Sequence, residues 1–328
     1  MKRRDVLKLG VGCIAAAAPS LRPGFAQSTY PERAIKLVIP FAPGGVTDVV
    51  GRMWAEKVKA SLGTVYVENQ GGGGGLIGAA TVARATPDGY TVLLGTATQV
   101  VVPAATGTAL YNPATDLAPV SILLTSALAI VIHPGLPART LTEFIDYAKA
   151  NPGTLTYASV GAGSSSHLAG ELFKSLTGTP DIVNVPYKGA GAMLGDVMSG
   201  HVAMTVPGVT SHILDLHRSG KVRMLAVASA DRLTAAPDIP TAGESGLSGM
   251  IAQNFSGLFA PAGTPRSIID QIARATRSAM ADNEFRQKLI AAGFEPHLDS
   301  SPDVARHFVE QETARLTPLI KAIGLKLE

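Results

Sequence analysis

Residues 35–48 contain a complete strand-to-helix transition, which points to a fold built from alternating strands and helices. The segment reads IKLVIPFAPGGVTD: an apolar, β-branched run that stops at Pro40, a Pro-Gly-Gly turn, and a helical pattern from Thr47. Because Gly44 and Gly45 have no side chains, a ligand can approach their backbone N–H groups at the positive end of the helix. The segment predicts either a small anion cradle or a plain turn with a good N-cap.

The same alternation continues along the chain and predicts the fold class. Short apolar runs predict strands at 35–40, 65–68, 91–95, 118–124, 128–133, 156–160, 182–185, 202–206, 223–228 and 255–260. Helical patterns lie near 47–61, 76–85, 141–150, 167–177, 190–199 and 209–218, and then at 265–280, 283–292 and 302–323. This order predicts an α/β fold with mainly parallel sheets flanked by helices.

Three further loops repeat the arrangement of strand, small residues and helix. They span residues 69–78, 157–167 and 185–191, and the first contains a run of glycines. In open parallel sheets such loops meet at the carboxyl ends of the strands, where ligands bind. They predict a cleft lined by helix N-termini and small side chains. The glycines fit neither a phosphate P-loop nor a dinucleotide fingerprint, because the required Lys or acidic residue does not follow at the right spacing.

The first 26 residues have the layout of a cleaved export signal. A basic start is followed by an apolar stretch at 6–18 that is too short to span a bilayer, and small residues lead up to Ala26. Arg3 and Arg4 precede an apolar residue, a leucine and a lysine, which is similar to the twin-arginine pattern. We therefore expect a periplasmic protein, exported by the twin-arginine or the general secretory route.

The composition after the leader excludes several classes of partner and site. The leader holds five of the 28 Lys and Arg residues and one of the 25 Asp and Glu residues, so 23 basic and 24 acidic side chains remain. This balance gives no support to a nucleic-acid partner. The only cysteine, Cys13, lies in the leader, which excludes disulfides from the remainder. No pair of histidines has metal-binding spacing, so we expect no metal and no cofactor.

Ser164, Ser165, Ser166 and His167 are consecutive and raise the question of hydrolase chemistry. Adjacent residues point to different sides of a helix, so His167 is poorly placed as a base for Ser166, and no G-x-S-x-G motif occurs. We interpret the serines as helix caps and ligand hydroxyls, whereas His167 either contacts the ligand or braces the loop. Asp48 is interpreted as an acceptor for loop amides, unless the ligand carries an amine.

Motifs along the whole chain after the leader resemble those of one receptor family, the periplasmic solute-binding receptors of tripartite tricarboxylate transporters, or Bug family. The motifs are Tyr30-Pro31, Pro40-Phe41-Ala42-Pro43-Gly44-Gly45, Thr47-Asp48, Val67-Glu68-Asn69, Pro87-Asp88-Gly89-Tyr90-Thr91, Tyr157-Ala158-Ser159, His167-Leu168, Val185-Pro186-Tyr187-Lys188-Gly189, Glu244-Ser245-Gly246 and Leu258-Phe259-Ala260-Pro261-Ala262-Gly263-Thr264-Pro265.

The resemblance implies a two-lobed periplasmic-binding-protein fold of the Venus flytrap kind, similar to type II. Residues 27–127 and 253–328 would form lobe one and residues 128–252 lobe two, with the ligand cleft between them. It also implies that backbone amides, hydroxyls and ordered water hold a carboxylate. Together with the loop motifs it predicts these ligand-binding residues: Phe41, Ala42, Gly44, Gly45, Thr47, Asp48, Gly74, Thr96, Ser159, Gly163, Ser164, Ser165, Ser166, His167, Tyr187 and Gly189.

We therefore expect a receptor that captures a small carboxylic acid and delivers it to the membrane subunits of a tripartite tricarboxylate-type transporter. The resemblance implies a monomer without enzyme activity. Two alternatives remain, which are a ligand sensor that docks on a signalling kinase and a cleft enzyme that acts on carboxylates. The sequence leaves the acid unidentified, and Lys188 is interpreted as a solvated or loop-bracing residue rather than a ligand contact.

Overall fold

The computed structural model describes residues 30–107, 110–187 and 189–324. The leader predicted at 1–26 and Lys188 lie outside these residues. Within the described part of the chain, no helix is long and apolar enough to cross a membrane. Two β-sheets, each covered by helices, form the framework.

The first sheet comes from both ends of the described chain. Its strands are β1 (Ile35–Ile39), β2 (Val65–Asn69), β3 (Thr91–Gly95), β4 (Leu117–Ala127), β10 (Gln253–Pro261) and β11 (Glu295–Pro296). Their order across the sheet is β11-β4-β10-β3-β1-β2. β1 is buried on both faces, because Leu37 and Ile39 pack into one apolar cluster and Val38 packs into another on the opposite face.

The second sheet comes from the middle of the chain. Its strands are β5 (Ala129–Ile132), β6 (Thr156–Ser159), β7 (Val183–Pro186), β8 (Met204–Thr205) and β9 (Arg223–Val227). Their order is β7-β6-β8-β5-β9. Tyr157 and Ala158 are both fully buried and belong to clusters on opposite faces of this sheet, so it too is covered on both sides.

Both sheets are mixed rather than mainly parallel as predicted. β1 is parallel to β2 and β3, and β6 is parallel to β7 and β8. In contrast, β10 is antiparallel to β3 and β4, and β5 is antiparallel to β8 and β9. The reason is the route of the chain. It leaves the first sheet at the end of β4 and re-enters at the start of β10, so these two long strands run in opposite directions.

Helices on both faces cover the sheets, and the longer ones agree with the predicted positions. Three short helices between β3 and β4 were not predicted, because a helix of about one turn has no apolar period to detect. The helices are α1 (Val46–Lys57), α2 (Lys59–Leu62), α3 (Leu76–Ala83), α4 (Ala97–Val100), α5 (Val102–Thr106), α6 (Pro113–Asp116), α7 (Leu141–Ala150), α8 (Ser165–Thr177), α9 (Ala190–Ser199), α10 (Ser211–Arg218), α11 (Arg266–Ala281), α12 (Asn283–Ala291) and α13 (Pro302–Ala322).

The chain crosses between the two sheets twice. It passes directly from β4 into β5, and it returns from the segment after β9 into β10. Ser211 N donates to Ala292 O at 3.1 Å, and Thr234 N donates to a carboxylate oxygen of Glu295 at 3.1 Å, so the two halves also touch away from the crossings. The lobe boundaries at 127/128 and 252/253 stay a prediction. The two sheets divide the strands at the same places.

Candidate functional site

A cleft of about 480 Å³ lies between the two sheets and is lined by residues from both. The first lobe contributes the start of α1, the second lobe contributes the starts of α8, α9 and α10, and the crossing strands β4 and β10 contribute the floor. A volume of this size is typical of small-molecule sites. The starts of four helices therefore border one space. Those of α1, α8 and α9 follow predicted loops, whereas the predicted loop 69–78 before α3 does not line the cleft and the start of α10 does.

The start of α1 provides backbone donors. Gly44 has a φ of +85°, which favours glycine, and Gly45 is extended and directly precedes the first helical residue. No side chain of the described residues caps α1, so the N–H groups of its first turn are available to an anion. A Cβ on Gly45 would meet only Ala42 O, at 3.8 Å. Gly45 therefore keeps space open in the cleft rather than inside the fold.

Asp48 holds this loop in place. Its Oδ2 accepts hydrogen bonds from Gly44 N at 2.9 Å and Arg52 Nε at 3.0 Å, and its Oδ1 accepts one from Asn69 Nδ2 at 2.9 Å. Burial alone would raise the pKa of the carboxyl, but the hydrogen bonds from Arg52, Gly44 and Asn69 hold that pKa below its usual value. Protein donors occupy both oxygens, which supports the interpretation of Asp48 as an acceptor for loop amides.

The three serines at the start of α8 have different surroundings. Ser164 Oγ accepts a hydrogen bond from His167 N at 3.2 Å and thereby caps the helix. Ser166 lines the cleft, but its Oγ accepts a hydrogen bond from Val160 N at 3.1 Å. Ser165 also lines the cleft, and its hydroxyl has no hydrogen-bond partner among the described residues. Ser165 is therefore the hydroxyl of this run that is most available to a ligand.

His167 braces the same loop. Its Nδ1 accepts a hydrogen bond from Gly163 N at 3.1 Å. Burial lowers the pKa of the imidazole, so the ring is neutral at neutral pH. Because Gly163 occupies the Nδ1 lone pair, this nitrogen cannot act as a base for the adjacent Ser166. Of the two interpretations of His167, the geometry supports the loop brace.

α9 and α10 complete the lining from the second lobe. α9 begins after Gly189 without a side-chain cap from any described residue, and Ala190 lines the cleft. α10 is capped by Thr210, whose Oγ1 accepts a hydrogen bond from a first-turn N–H at 3.4 Å. Ser211 and His212 follow this cap and line the cleft. Both were missed by the sequence reasoning, because they do not follow a glycine-rich loop.

Two residues at the floor of the cleft were also missed. Ser126 on β4 and Asn254 on β10 are register partners on the crossing strands, and both line the cleft. The next residue, Phe255, is 1% exposed and packs edge-to-face on Phe308 at 5.2 Å between ring centroids, away from the cleft. The crossing strands also contain Ser121, Thr125, Gln253 and Ser256, so polarity in the sequence did not single out Ser126 and Asn254.

Three of the predicted first-lobe residues, Phe41, Gly74 and Thr96, hold loops rather than line the cleft. The carbonyl oxygens of Phe41 and Gly74 accept hydrogen bonds from the side chains of Asn69 and Gln99, both at 3.0 Å. The Thr96 hydroxyl accepts from Thr98 N as the cap of α4. Six of the ligand-binding residues predicted in the first lobe are absent from the described lining of the cleft. They are Phe41, Ala42, Thr47, Asp48, Gly74 and Thr96.

In the second lobe, Ser159 and Tyr187 also lie outside the lining. The hydroxyl of Ser159 is buried and has no hydrogen-bond partner among the described residues. Tyr187 OH donates to Asp196 Oδ2 at 2.6 Å, and this hydrogen bond raises the pKa of Tyr187 to about 12. Gly163, Ser164, His167 and Gly189 act through the backbone and caps described above. Several predicted residues that follow a strand therefore form hydrogen bonds within the protein rather than line the cleft.

The described lining of the cleft contains no Asp, Glu, Lys or Arg. Its polar groups are hydroxyls, one amide, one imidazole and backbone N–H groups, and the remainder is mostly apolar. Attraction for an anion therefore comes from helix N-termini and neutral donors instead of a basic side chain. Within the same described residues, no cluster of three or more His, Cys, Asp or Glu side chains could hold a metal ion.

Comparison with known proteins identifies the family to which this cleft belongs. A sequence model described as the tripartite tricarboxylate transporter family receptor matches residues 50–325. The chain belongs to this family. This receptor is 36% identical to the protein BugT of Bordetella pertussis over 327 residues, which covers 97% of each chain.

Two solved structures extend the similarity to the fold. The periplasmic binding protein BugD is 33% identical to this receptor with a TM-score of 0.81, over 90% of this chain and 99% of that one. A Rhodopseudomonas palustris protein solved with adipate is 32% identical, also with a TM-score of 0.81 and the same coverage. The prediction of a Bug-family receptor with a two-lobed α/β fold is therefore confirmed.

Proposed function

We propose that this receptor captures a small carboxylic acid in the cleft between its lobes and delivers it to a tripartite tricarboxylate-type transporter. The observation that carries the proposal is the uncapped start of α1 at a cleft whose described lining has no charged side chain. Such a site favours an anion over a cation. The similar R. palustris protein was solved with adipate, a carboxylate, which supports the same class of ligand here.

The division of the lining between both lobes supports a receptor that closes on its ligand. The α1 start belongs to the first lobe and Ser165 to the second. A ligand that contacts both sides binds the closed arrangement better than the open one and therefore shifts the population toward closure. We propose lobe boundaries at 127/128 and 252/253, and that one receptor molecule contains the whole site.

Delivery to a transporter rests on the family of the chain and is part of the proposal. A sensor that docks on a signalling kinase would use the same cleft and differ only in its partner. Residues 1–26 are proposed to be an export leader that places the mature receptor in the periplasm. A carboxylate-processing enzyme has less support, because His167 Nδ1 is engaged by Gly163 N at 3.1 Å.

A thermal-shift screen of carboxylic acids against their primary amides tests the ligand class. Each acid and its amide have nearly the same shape, but only the acid carries a negative charge. At a hundredfold excess over its dissociation constant, a bound acid should stabilise the receptor by ~2.7 kcal/mol, whereas its amide should have little effect. Equal stabilisation by the acid and the amide would contradict the proposal.

A further inference from the structure

The floor of the cleft has an unused polar pair. Ser126 is 3% exposed, yet its hydroxyl has no hydrogen-bond partner among the described residues. A Cβ on Gly208, a neighbouring residue of the lining, would meet only Ser126 Oγ, at 3.8 Å. The hydroxyl therefore faces the space that Gly208 leaves open. Asn254, the register partner of Ser126, supplies a carboxamide to the same cleft.

Among the described residues, the fully buried side-chain atoms without a partner are Ser159 Oγ and Asn184 Oδ1. Ser126 Oγ is not one of them, so its hydroxyl is open to the cleft and can bind a ligand there. A hydroxyl and a carboxamide each offer both donors and acceptors. The Ser126 hydroxyl and the Asn254 carboxamide can therefore bind an uncharged group of the ligand. This group is either a hydroxyl, which donates and accepts hydrogen bonds, or a carbonyl, which accepts them. Ser126 and Asn254 offer no net charge to compensate a second carboxylate or an ammonium group.

The apolar side chains that line the cleft point the same way. They include Val46 and Val49 from the first lobe and Met193, Leu194 and Ile213 from the second. A charged group of the ligand that lay against these side chains would lose its hydration without a counter-ion. The described features that favour a second carboxylate are the starts of α8, α9 and α10, of which only that of α9 lacks a side-chain cap from a described residue.

We propose that Ser126 and Asn254 bind an uncharged hydroxyl or carbonyl group of a ligand whose single carboxylate meets the start of α1. The ligand class is then a hydroxy- or oxo-substituted monocarboxylate, rather than a dicarboxylate or an amino acid. This inference rests on the proposed function and names the substrate class of the same cleft. Ser126 and Asn254 are specificity-determining residues in this account.

Calorimetric titration with acids of equal length tests the class. The probes are hexanoate, hexanoate with a hydroxyl on the α-carbon or on the terminal carbon, hexanoate with a terminal amine, and adipate. At least one hydroxy acid should bind about fivefold or more tightly than hexanoate, as expected for one additional hydrogen bond. Adipate and the amino acid should bind more weakly than hexanoate. Tightest binding by adipate would overturn the inference in favour of a second carboxylate at the start of α9.

Two variants test the residues. The hydroxyl increment is the ratio of the affinity for the hydroxy acid to the affinity for hexanoate in the same variant. Ser126→Ala and Asn254→Ala should each bring this ratio close to one, whatever their own affinity for hexanoate. Thr125→Val is the matched control, because Thr125 is the preceding residue of β4 and does not line the cleft. It should retain the increment. If the increment survives in both floor variants, the inference is wrong. If no acid binds the wild type at all, the proposed function fails instead.

Discussion

Replacing Asp48 by asparagine tests whether this residue holds the loop before α1 or contacts the ligand. The substitution keeps the shape of the side chain but removes its charge and turns one acceptor oxygen into a donor nitrogen. Gly44 N, Arg52 Nε and Asn69 Nδ2 all donate to this carboxylate within 3.0 Å, so at least one of these donors loses its acceptor. We therefore expect a loss of stability instead of a selective loss of binding.

The size of the loss follows from the exposure of the partners. The Asp48 side chain is 5% exposed, whereas that of Arg52 is 54% exposed and can return to water. Gly44 is exposed as well. A hydrogen bond to a charged group contributes about 1.5–3 kcal/mol, and breaking a fully buried pair costs about 3–5 kcal/mol. Because two donors recover hydration, we expect the lower part of this range, about 2 kcal/mol.

The pH dependence has a defined sign. The folded state holds the pKa of Asp48 below its usual value, so its contribution is fully present above the unfolded pKa of about 3.9. It is lost as the pH falls through the lower folded pKa. The difference in unfolding free energy between wild type and Asp48→Asn should therefore be constant from about pH 5 to pH 8 and shrink below about pH 4.

Urea unfolding at several pH values measures this difference. Glu284→Gln is the matched control, because Glu284 and Lys288 form an i,i+4 ion pair at 2.7 Å in which both side chains are largely exposed. This variant should unfold like the wild type. If Asp48→Asn retains wild-type stability but loses acid binding, the carboxylate contacts the ligand and the loop account is refuted.

Three further predictions concern the α8 serines, closure and the leader. Ser164→Ala should lower the unfolding free energy by about 1 kcal/mol in urea denaturation, because it removes the hydrogen bond from His167 N to Ser164 Oγ at 3.2 Å. Ser165→Ala should keep the wild-type stability and weaken acid binding about fivefold in calorimetry. Small-angle scattering should show the wild type becoming more compact when acid is added, and an unchanged radius would argue against closure. Arg3→Lys with Arg4→Lys should reduce the amount of mature protein in periplasmic fractions, and normal export would point to the general secretory route.

The strands and long helices could be predicted because each contains enough residues for a period to appear. β1 is apolar except for Lys36, is buried on both faces, and ends at Ile39, directly before Pro40, where the sequence pattern breaks. The direction of β10 could not be predicted in this way, because alternation of strands and helices carries no information about a strand that returns from another sheet. The short helices α4, α5 and α6 are too short for a pattern to develop.

The site was predicted in outline and less well in its side chains. The glycines before α1 and the first two serines of α8 do border the cleft, because small residues at a helix start are visible in the sequence. Thr96 and Tyr187 were selected by the same rule, but they hold local hydrogen bonds. Ser126 and Asn254 were missed because their role depends on two strands that are distant in sequence and adjacent in space.

Titration of Gly45→Val with the acid that stabilises the wild type most is the most direct test of a carboxylate at the start of α1. A Cβ at Gly45 would meet only Ala42 O at 3.8 Å, and the backbone φ of −77° suits any residue, so the variant should fold like the wild type. Gly195→Val on α9, where a Cβ meets no atom within 4 Å and which does not line the cleft, is the control. Our account predicts that Gly45→Val gives no measurable heat of binding while Gly195→Val binds normally. Wild-type affinity in a folded Gly45→Val receptor would contradict it.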